Sequence, residues 1–497
     1  MSIWLSKEQL KKLSSAENSL AASPVPTQMI SNGEFTPLSQ TEQQKQVEAR
    51  ISEISNYTGD KLNMDRRSFL KTSSGMAAAF LAMNDVFGPL FSVAHAEVEN
   101  LEMADQRAAQ LAGQFIFDNQ LHFVRDDYSN AALLGLGQYA VDHWNPTMLD
   151  DVGLEMYRYK FENFVKEVYL DSDTKVGLIS GASFDDPDTW ILTNDQMAKT
   201  RELVNGVAGS RRLLCHSVIS PGQDGWMDSV DYAIETIKPD SWKGYTVGDP
   251  LEPSDFPWRL DDEELMYPFY EKSLKAGINT VCIHKGLLPA DYKTSMPDLW
   301  EYAKVDDLPK AAKDWPEINF IIYHAAFRPF LEAPDATAAE FEKTGYIRWA
   351  SDLAAIPEKY GVDNVYAEIG TSFANCVVTN PRLAAGLLGT LIKGMGVDKV
   401  IWGTDSVWYG SPQWQIEAFR RLEIPQDLQK KFGFAPLGAP DGAVKNAIFG
   451  LNAAPLYDLK EEIEFGPLRR DTVDRMREEY RTTGIGRSNV AYGYVAV

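Results

Sequence analysis

The chain is poor in cysteine and in positive charge. It has three cysteines, Cys215, Cys282 and Cys376, and this odd, scattered set predicts no disulfide framework. Its 48 lysines and arginines face 71 aspartates and glutamates, which gives a net charge of −23. Such an acidic chain would repel nucleic-acid phosphates, which argues against nucleic acid as a partner. No window of 18 residues is apolar and uncharged, so no stable membrane span is expected.

Length and composition allow a large core. The 497 residues, 44% of them hydrophobic, suit two or three average domains or one large barrel with extensions. Residues 1–63 differ from the rest because Ser, Gln, Glu, Asn and Lys dominate them. They carry too little apolar surface to offset chain entropy. We therefore expect a disordered N-terminal extension over residues 1–63, with short helices near Ser6–Leu13 and Thr41–Ile54.

Residues 64–96 form a second distinct segment. Met64–Lys71 reads M-D-R-R-S-F-L-K and resembles a twin-arginine export signal. Apolar stretches over Gly75–Met83 and Val86–Val93 lead to the small-x-small cleavage pattern Ala94–Ala96. The resemblance implies the twin-arginine export machinery as a partner and a periplasmic or exported protein. The alternative to an export signal is a helix packed on the domain, in a protein that stays in the cytoplasm. Met64 is also an alternative translation start.

From Gln114 onward, short apolar runs alternate with helical periods, as in repeated βα units. Eight such runs are candidate strands: Phe115–His122, Lys175–Ser180, Arg212–Ile219, Trp242–Val247, Asn279–His284, Asn319–His324, Asn364–Ile369 and Lys399–Asp405. Helical periods lie between them: Asn194–Val207, Ser229–Ile237, Asp262–Ala276, Tyr346–Tyr360 and Pro381–Met395.

Eight βα units predict an α/β fold, a (β/α)₈ TIM barrel over residues 114–459. A doubly wound sheet would also alternate, but no G-x-G-x-x-G follows the first strand. The long connection Arg125–Asp173 is expected to rim the active site. Ala443–Leu459 is expected to close the barrel, and the charged tail at 460–497 to wrap the domain or mediate self-association.

Polar residues end several of the predicted strands. His122 ends the first strand, His284 the fifth and His324 the sixth, and Asp405 ends the eighth. The carboxyl ends of barrel strands meet at one mouth, where catalytic groups sit. Three imidazoles and a carboxylate suit Zn²⁺ or a similar divalent ion. Three strand-end histidines among only six in the chain are hard to ascribe to chance.

These strand ends resemble the amidohydrolase superfamily, in particular the group of aminocarboxymuconate-semialdehyde decarboxylase and the dihydroxybenzoate decarboxylases. The resemblance covers Phe115–Leu459 and includes the closing stretch A-I-F-G-L-N-A-A-P-L-Y-D-L. It implies that His122, His284 and Asp405 bind one divalent metal ion, Zn²⁺ with Mn²⁺ as the alternative. It also implies that His324 is the catalytic histidine, that Asp405 doubles as a base, and that the barrel pairs as a homodimer.

The chain departs from that pattern at Gln120, where the family has another metal-binding histidine. A glutamine oxygen binds a divalent ion more weakly than imidazole does. Gln120 is therefore either a weak ligand or a hydrogen-bond partner of a bound water.

Further candidates have an ordinary structural alternative. Lys285, Arg328 and Glu368 follow or end strands and are candidates for substrate binding, although Lys285 and Arg328 are as well explained as outward partners of helix acids. Two other histidines are expected to be structural, His216 as a core residue and His143 in a loop. Three aromatic residues flank Asp405 and are candidates for an apolar wall: Trp402, Trp408 and Tyr409.

The predicted function is metal-dependent hydrolysis of an ester, lactone or amide. The same ligands would also serve a non-oxidative decarboxylase acting on an aromatic or unsaturated acid. A non-catalytic binding barrel, which lost a full ligand set at Gln120, is a third interpretation.

Overall fold

A computed structural model describes residues 23–35, 37–127, 159–250, 253–287, 292–328, 334–460, 462–464 and 470–482. Within these residues the chain forms a parallel β-barrel surrounded by helices, with N-terminal helices packed against its side.

Eight parallel strands follow one another around the barrel in chain order. The strands are β1 Phe117–Leu121, β2 Val176–Ile179, β3 Leu213–Val218, β4 Ser241–Tyr245, β5 Thr280–His284, β6 Asn319–Tyr323, β7 Val365–Glu368 and β8 Val400–Ile401. The segment after β8 closes the ring on β1, since Leu121 bridges to Ser406 in parallel and Asp405 N donates to Gln120 O at 2.9 Å. The predicted (β/α)₈ barrel is thereby confirmed, although most strands are shorter than the sequence runs and β8 has only two residues.

The barrel interior is filled by alternate strand residues. Phe117, Leu178, Leu214, Cys282 and Ile321 form a buried cluster there with the segment Ala453–Leu459. Because side chains alternate along a strand, His284 shares the inward face of β5 with Cys282, one pleat nearer the mouth. The apolar residues fill the lower barrel and leave the polar residues at its carboxyl end.

Local signals set the helices. Thr193 caps the helix after β2 and forms a reciprocal capping box with Gln196, and Gly361 ends the helix before β7 at φ 68°. The described α-helices are α1 Glu42–Leu62, α2 Arg66–Leu70, α3 Ser73–Phe87, α4 His95–Glu99, α5 Leu101–Leu111, α6 Phe161–Phe164, α7 Asn194–Ala208, α8 Trp226–Tyr232, α9 Tyr267–Lys275, α10 Tyr292–Ser295, α11 Leu308–Asp314, α12 Pro334–Thr344, α13 Ala350–Tyr360, α14 Ser372–Thr379, α15 Pro381–Met395, α16 Gln413–Arg421, α17 Gln426–Phe432, α18 Ala443–Asn446 and α19 Thr472–Thr482. Wider π-turns extend three of them: α6 over Val165–Leu170, α8 over Ala233–Ile237 and α18 over Ala447–Leu451.

The described part of the N-terminal extension packs on the domain, which corrects the predicted disorder there; residues 1–22, with the helix predicted near Ser6–Leu13, lie outside the described residues. Residues 23–35 and 37–63 are described, and α1 is a 21-residue helix with Thr41 as its N-cap. Val47 and Ile51 of α1 are buried in the main core, as are Ile30 and Phe35 before it. Few apolar residues suffice here because the barrel supplies the opposing surface, which composition alone does not reveal.

The stretch that resembles an export leader is also packed. Helix α3 buries Ala77 and Phe80 completely, and the chain beyond it pairs with the barrel where Phe91 bridges to Leu422. This is the packed helix that the sequence offered as the alternative. The export function of residues 64–96 stays a prediction.

The C-terminal tail wraps the barrel where it is described. In α19, Arg477 Nε donates to Tyr169 O at 2.8 Å and the Tyr480 hydroxyl donates to Asp171 at 2.7 Å.

Most of the connection Arg125–Asp173 lies outside the described residues, and so does His143. None of the described helices is both long and apolar enough to cross a lipid bilayer.

Candidate functional site

The four strand-end residues meet at the carboxyl mouth of the barrel. His122 Nε2 lies 2.9 Å from Asp405 Oδ1, and the rings of His284 and His324 lie edge to face with centroids 4.7 Å apart. Each of the four is at most 3% exposed. Their metal-binding and catalytic roles stay predictions, but the structure brings all four together as the barrel argument requires.

Two of the four residues, His324 and Asp405, have a strained backbone conformation. His324 and Asp405 both have φ 60°, in the left-handed region, and Thr371 beside them has φ 58°. Each such residue costs about 1–3 kcal/mol and persists only where surrounding bonds hold it. Those bonds are present: Glu368 accepts from His324 N at 3.2 Å, and Thr371 Oγ1 donates to Asp405 Oδ2.

Several imidazole nitrogens at the mouth have no hydrogen-bond partner in the described part of the chain. His324 Nδ1 lies 2.9 Å from the Gly370 carbonyl, which can only accept, so Nδ1 carries the proton and Nε2 the lone pair. Burial lowers the pKa of His324 to about 4 and that of His284 well below its usual range. Among the described residues, His324 Nε2, both ring nitrogens of His284 and Gln120 Oε1 have no hydrogen-bond partner.

The N-terminal extension adds a carboxylate to this cluster. The turn Asn32–Gly33–Glu34 enters the mouth, with Gly33 at φ 101°, and Glu34 Oε1 lies 3.5 Å from His284 Nδ1. Burial, and next the charge of Asp405, raise the pKa of Glu34. Asn32 Nδ2 donates to Glu34 Oε2 at 2.7 Å and to Asp405 Oδ2 at 2.9 Å, so one amide links both carboxylates.

Asp405 is held as a carboxylate. Burial acts to raise its pKa, but the hydrogen bond and charge of His122 outweigh burial and hold the pKa of Asp405 below its usual value. A carboxylate beside three histidines is the set of groups that a divalent ion binds.

The donor set fits a divalent metal ion. Glu34, His284 and His324 each offer one ligand atom, and these atoms lie within 4.8 Å of one another. Buried lone pairs without donors are costly, and a cation relieves that cost. Carboxylate and imidazole donors together suit Zn²⁺ and Mn²⁺.

Gln120 and Glu368 lie beneath this cluster. A Cβ placed on Gly370 would be 2.5 Å from Gln120 Oε1 and 2.6 Å from Glu368 Oε1, so glycine is what lets both side chains fit. Glu368 Oε1 also accepts from Gly370 N at 2.6 Å. Burial raises the pKa of Glu368 to about 8. Glu368 therefore shapes the backbone around His324, and its predicted contact with substrate stays a prediction.

Lys285 does not face the mouth, which corrects its predicted role. Its three ammonium hydrogens have three acceptors, Asp307 Oδ1 and Oδ2 at 2.9 Å and Tyr302 O at 2.8 Å. No donor remains for a substrate carboxylate. Lys285 is the outward partner of a helix acid, because Asp307 lies at the start of α11.

Arg328 and His216 are both buried, Arg328 beside two tryptophans and His216 inside the barrel. The predicted contact of Arg328 with substrate stays a prediction. The Arg328 guanidinium lies over the rings of Trp300 and Trp349, at 4.8 and 5.8 Å from their centroids. His216 is a paired core histidine as expected, with Tyr323 at 2.8 Å and Ser241 at 2.9 Å.

Of the three aromatic residues around Asp405, only part of the predicted wall forms. Trp402 stacks on Phe419 in the core behind the barrel. Trp408 lines the cavity at the mouth, and the Tyr409 hydroxyl donates to Thr371 at 2.9 Å.

Sequence reasoning missed Asn32, Glu34 and Lys243. Lys243 is buried on β4 with its ammonium 3.6 Å from the Tyr323 ring centroid, and burial lowers its pKa. The signal for Lys243 was a lysine inside the apolar run W-K-G-Y. The signal for Glu34 was weaker, a turn sequence N-G-E between apolar residues in an otherwise polar stretch.

A cavity of about 430 Å³ opens over this cluster. Its walls come from the N-terminal turn, from His122 and Asp405, and from the loops after β2 and β4. Its lining residues are Asn32, Gly33, Glu34, His122, Ala182, Phe184, Ile191, Tyr245, Pro250, Asp405 and Trp408.

The fold and the site together define a (β/α)₈ barrel with imidazoles and carboxylates at its carboxyl mouth. Residues 236–459, from the end of the helix before β4 to the closing segment, match the family model described as amidohydrolase. Over these residues the match agrees with the resemblance to amidohydrolases inferred from the sequence. None of the curated proteins compared with the sequence matches it.

Several solved structures are similar in fold. An uncharacterised TIM-barrel protein from Bordetella bronchiseptica is 13% identical, covers 69% of this chain and 98% of its own, and has a TM-score of 0.40. A 5-carboxyvanillate decarboxylase from Sphingomonas paucimobilis is 13% identical, with 69% and 99% covered and a TM-score of 0.40. A candidate 2-pyrone-4,6-dicarboxylic acid hydrolase from Pseudomonas putida is 13% identical, with 70% and 98% covered and a TM-score of 0.37. Likeness at this level carries no statement about activity.

Proposed function

We propose that this protein is a metal-dependent hydrolase that acts on an ester, lactone or amide of a small molecule. The observation that supports it most is the meeting of His122, His284, His324 and Asp405 at the mouth, where ring nitrogens of His284 and His324 have no hydrogen-bond partner among the described residues. Buried polar atoms without partners are rare unless they serve a ligand or chemistry.

In this proposal His122, His284 and Asp405 hold the divalent ion, and Gln120 is a further, weaker candidate. Such an ion, when bound, polarises a carbonyl oxygen and lowers the pKa of a bound water to about 7. Zn²⁺ is the first choice and Mn²⁺ the alternative, because both accept mixed imidazole and carboxylate ligands.

Asp405 is the proposed base. Its pKa is held below the usual value, so it is ionised at neutral pH and can accept the proton of an attacking water. His324 is neutral at that pH, with a free lone pair at Nε2, and so it orients the water by accepting a hydrogen bond. The lowered pKa of His324 argues against a role as proton donor.

Decarboxylation of an aromatic or unsaturated acid is the second candidate. One observation favours it: Lys243 lies buried on the inward face of β4 and interacts electrostatically with Glu34, Asp405 and Glu368. A buried ammonium can neutralise a substrate carboxylate before carbon dioxide leaves. The same metal ligands would serve both reactions.

Metal analysis followed by a substrate panel tests these proposals. We expect about one divalent ion per chain, as a single mononuclear site requires. Esters, lactones and amides are then compared with aromatic and unsaturated carboxylic acids, with carbon dioxide release as the separate readout. Turnover of acids alone would replace the hydrolase with the decarboxylase. Absence of both metal and turnover would leave a non-catalytic binding barrel.

We also propose that residues 64–71 direct twin-arginine export of the folded protein, supported by the R-R-S-F-L-K sequence and by the exposed position of Arg67. Changing Arg66 and Arg67 together to lysine should retain the protein in the cytoplasm. Unchanged export of that variant would remove the proposal, and the N-terminal sequence of exported wild-type protein would show whether Ala96 ends a leader.

A further inference from the structure

The Asn32–Glu34 turn is fixed at the barrel mouth and does not rest loosely on it. Ile30 N donates to Asn375 Oδ1 at 3.2 Å, and Met29, Ile30 and Phe35 are each at most 2% exposed. Within the turn, Asn32 Oδ1 accepts from Glu34 N at 3.1 Å. The position of the Glu34 carboxylate is therefore set by the core and by local hydrogen bonds.

The two oxygens of Glu34 have different surroundings. Oε2 accepts from Asn32, whereas Oε1 faces His284 Nδ1 at 3.5 Å without hydrogen-bond geometry. A metal-binding carboxylate has this arrangement, one oxygen on the ion and the other held by a hydrogen-bond donor. Tyr245 supports the same unit, since its ring stacks on His284 with centroids 4.7 Å apart.

The 3.5 Å separation also agrees with shared coordination. Two donors that bind one Zn²⁺ tetrahedrally, each at about 2.1 Å, lie about 3.4 Å apart. A ring nitrogen of His324, the residue proposed to orient the water, lies within 4.8 Å of both. Glu34 Oε1 and His324 Nε2 are both acceptors, and a cation held between them would offset the cost of burying them together.

We propose that Glu34, carried on the N-terminal extension, is a ligand of the divalent ion beside His284, and that it supplies the ligand that β1 lacks at Gln120. The inference rests on the proposed metal-dependent function. It assigns residues upstream of the twin-arginine motif to the working site, so a chain that began after Ala96 would lack part of its metal centre.

Zn²⁺ affinity of the full-length metal-free protein tests the inference. Competition with a chromophoric chelator should show that Glu34→Gln weakens binding by about 100-fold or more, because changes even beyond the direct ligands cost 10–100-fold. Glu48→Gln is the matched control. Glu48 also accepts hydrogen bonds in the extension, from Thr27 and Gln40, but it is exposed on the outer face of α1, so the Zn²⁺ affinity of the Glu48→Gln variant should stay within about twofold of wild type.

The visible spectrum of the Co²⁺-loaded protein gives a readout independent of turnover. Loss of a carboxylate ligand should change band positions and intensities in Glu34→Gln and leave those of Glu48→Gln unchanged. If Glu34→Gln does not fold, Glu34→Asp keeps the charge but withdraws the oxygen by one methylene, and the same spectral change is expected.

The outcomes separate this inference from the proposed function. If wild type binds Zn²⁺ and the Glu34→Gln variant has the same affinity and the same Co²⁺ spectrum, the ligand role of Glu34 alone is overturned. Wild type that binds no divalent ion would overturn both.

Discussion

Two groups of buried polar side chains in this protein differ in their hydrogen bonding: within the described ranges, one group lacks partners and the other is fully paired. At the mouth, His284 and His324 present lone pairs that have no partner among the described residues. On the flank, Arg420 and Arg421 of α16 are as deeply buried, yet Nε and both Nη atoms of each donate to an acceptor.

The second group, here called the arginine cluster, consists of Arg420, Arg421, Glu97, Glu417 and Asp173. Arg420 donates to Asp173 at 2.8 Å and to Glu417 at 2.9 Å, while Arg421 binds Glu97 of α4. The cluster thus ties the N-terminal helices to α16. The positive charges lower the pKa of Glu417 to about 2 against the opposing effect of burial.

The difference teaches how to separate structure from function in a buried polar network. A network whose donors and acceptors are matched stabilises one arrangement of the chain. A network whose lone pairs converge unmatched costs stability unless something binds there. The arginine cluster is of the first kind, and the mouth is of the second kind.

Asp405→Asn should have the largest effect. The amide removes the proposed base and one negative ligand, so we expect turnover to fall by about 10³-fold or more, within the range for acid–base groups. Steady-state kinetics on the substrate found in the panel measure this loss, and circular dichroism checks the fold. Turnover near that of wild type would take Asp405 out of the mechanism.

Arg420→Leu should break the arginine cluster without touching the mouth. It leaves Asp173 and Glu417 buried with less compensation, and we expect a loss of about 3–5 kcal/mol in the free energy of unfolding. Urea denaturation measures it, with metal content as the second readout. Arg382→Leu is the control, since Arg382 pairs with Glu342 and Asp427 at the surface and should cost at most about 1 kcal/mol. Equal losses in the two variants would contradict the comparison.

Replacing both Lys285 and Asp307, by Met and Leu, should have the smallest effect. Removing a whole buried ion pair is often neutral or stabilising, whereas removing one partner is not. We expect KM to be unchanged because the Lys285 ammonium is fully used by Asp307 and Tyr302. A large rise in KM would indicate that Lys285 binds the substrate after all.

Much of the fold could be read from the chain because its signals are local. The apolar runs of all eight strands stand out from the helical periods between them, and His284 and Asp405 fall where those runs end. Parallel strand ends must meet at one edge, so local spacing was enough to predict a shared mouth. The same reasoning could not tell that Lys285 turns outward, because Asp307 approaches it only in three dimensions.

The N-terminal region shows where local reasoning stops. Its composition predicts disorder, yet α1 and the Asn32–Glu34 turn pack against the barrel. The free energy that orders them comes from a surface built by residues far downstream, and no window of the extension contains that information.

The sequence by itself determined the βα repeat, the barrel, and the histidines and aspartate at its strand ends, because periodicity and strand polarity are properties of neighbouring residues. Only the tertiary structure decided that Glu34 reaches His284, that Lys285 pairs with Asp307 and that the unprotonated nitrogen of His324 lies at the mouth. Those outcomes depend on which distant groups meet in a space without water, where each donor and acceptor must find a partner or a ligand.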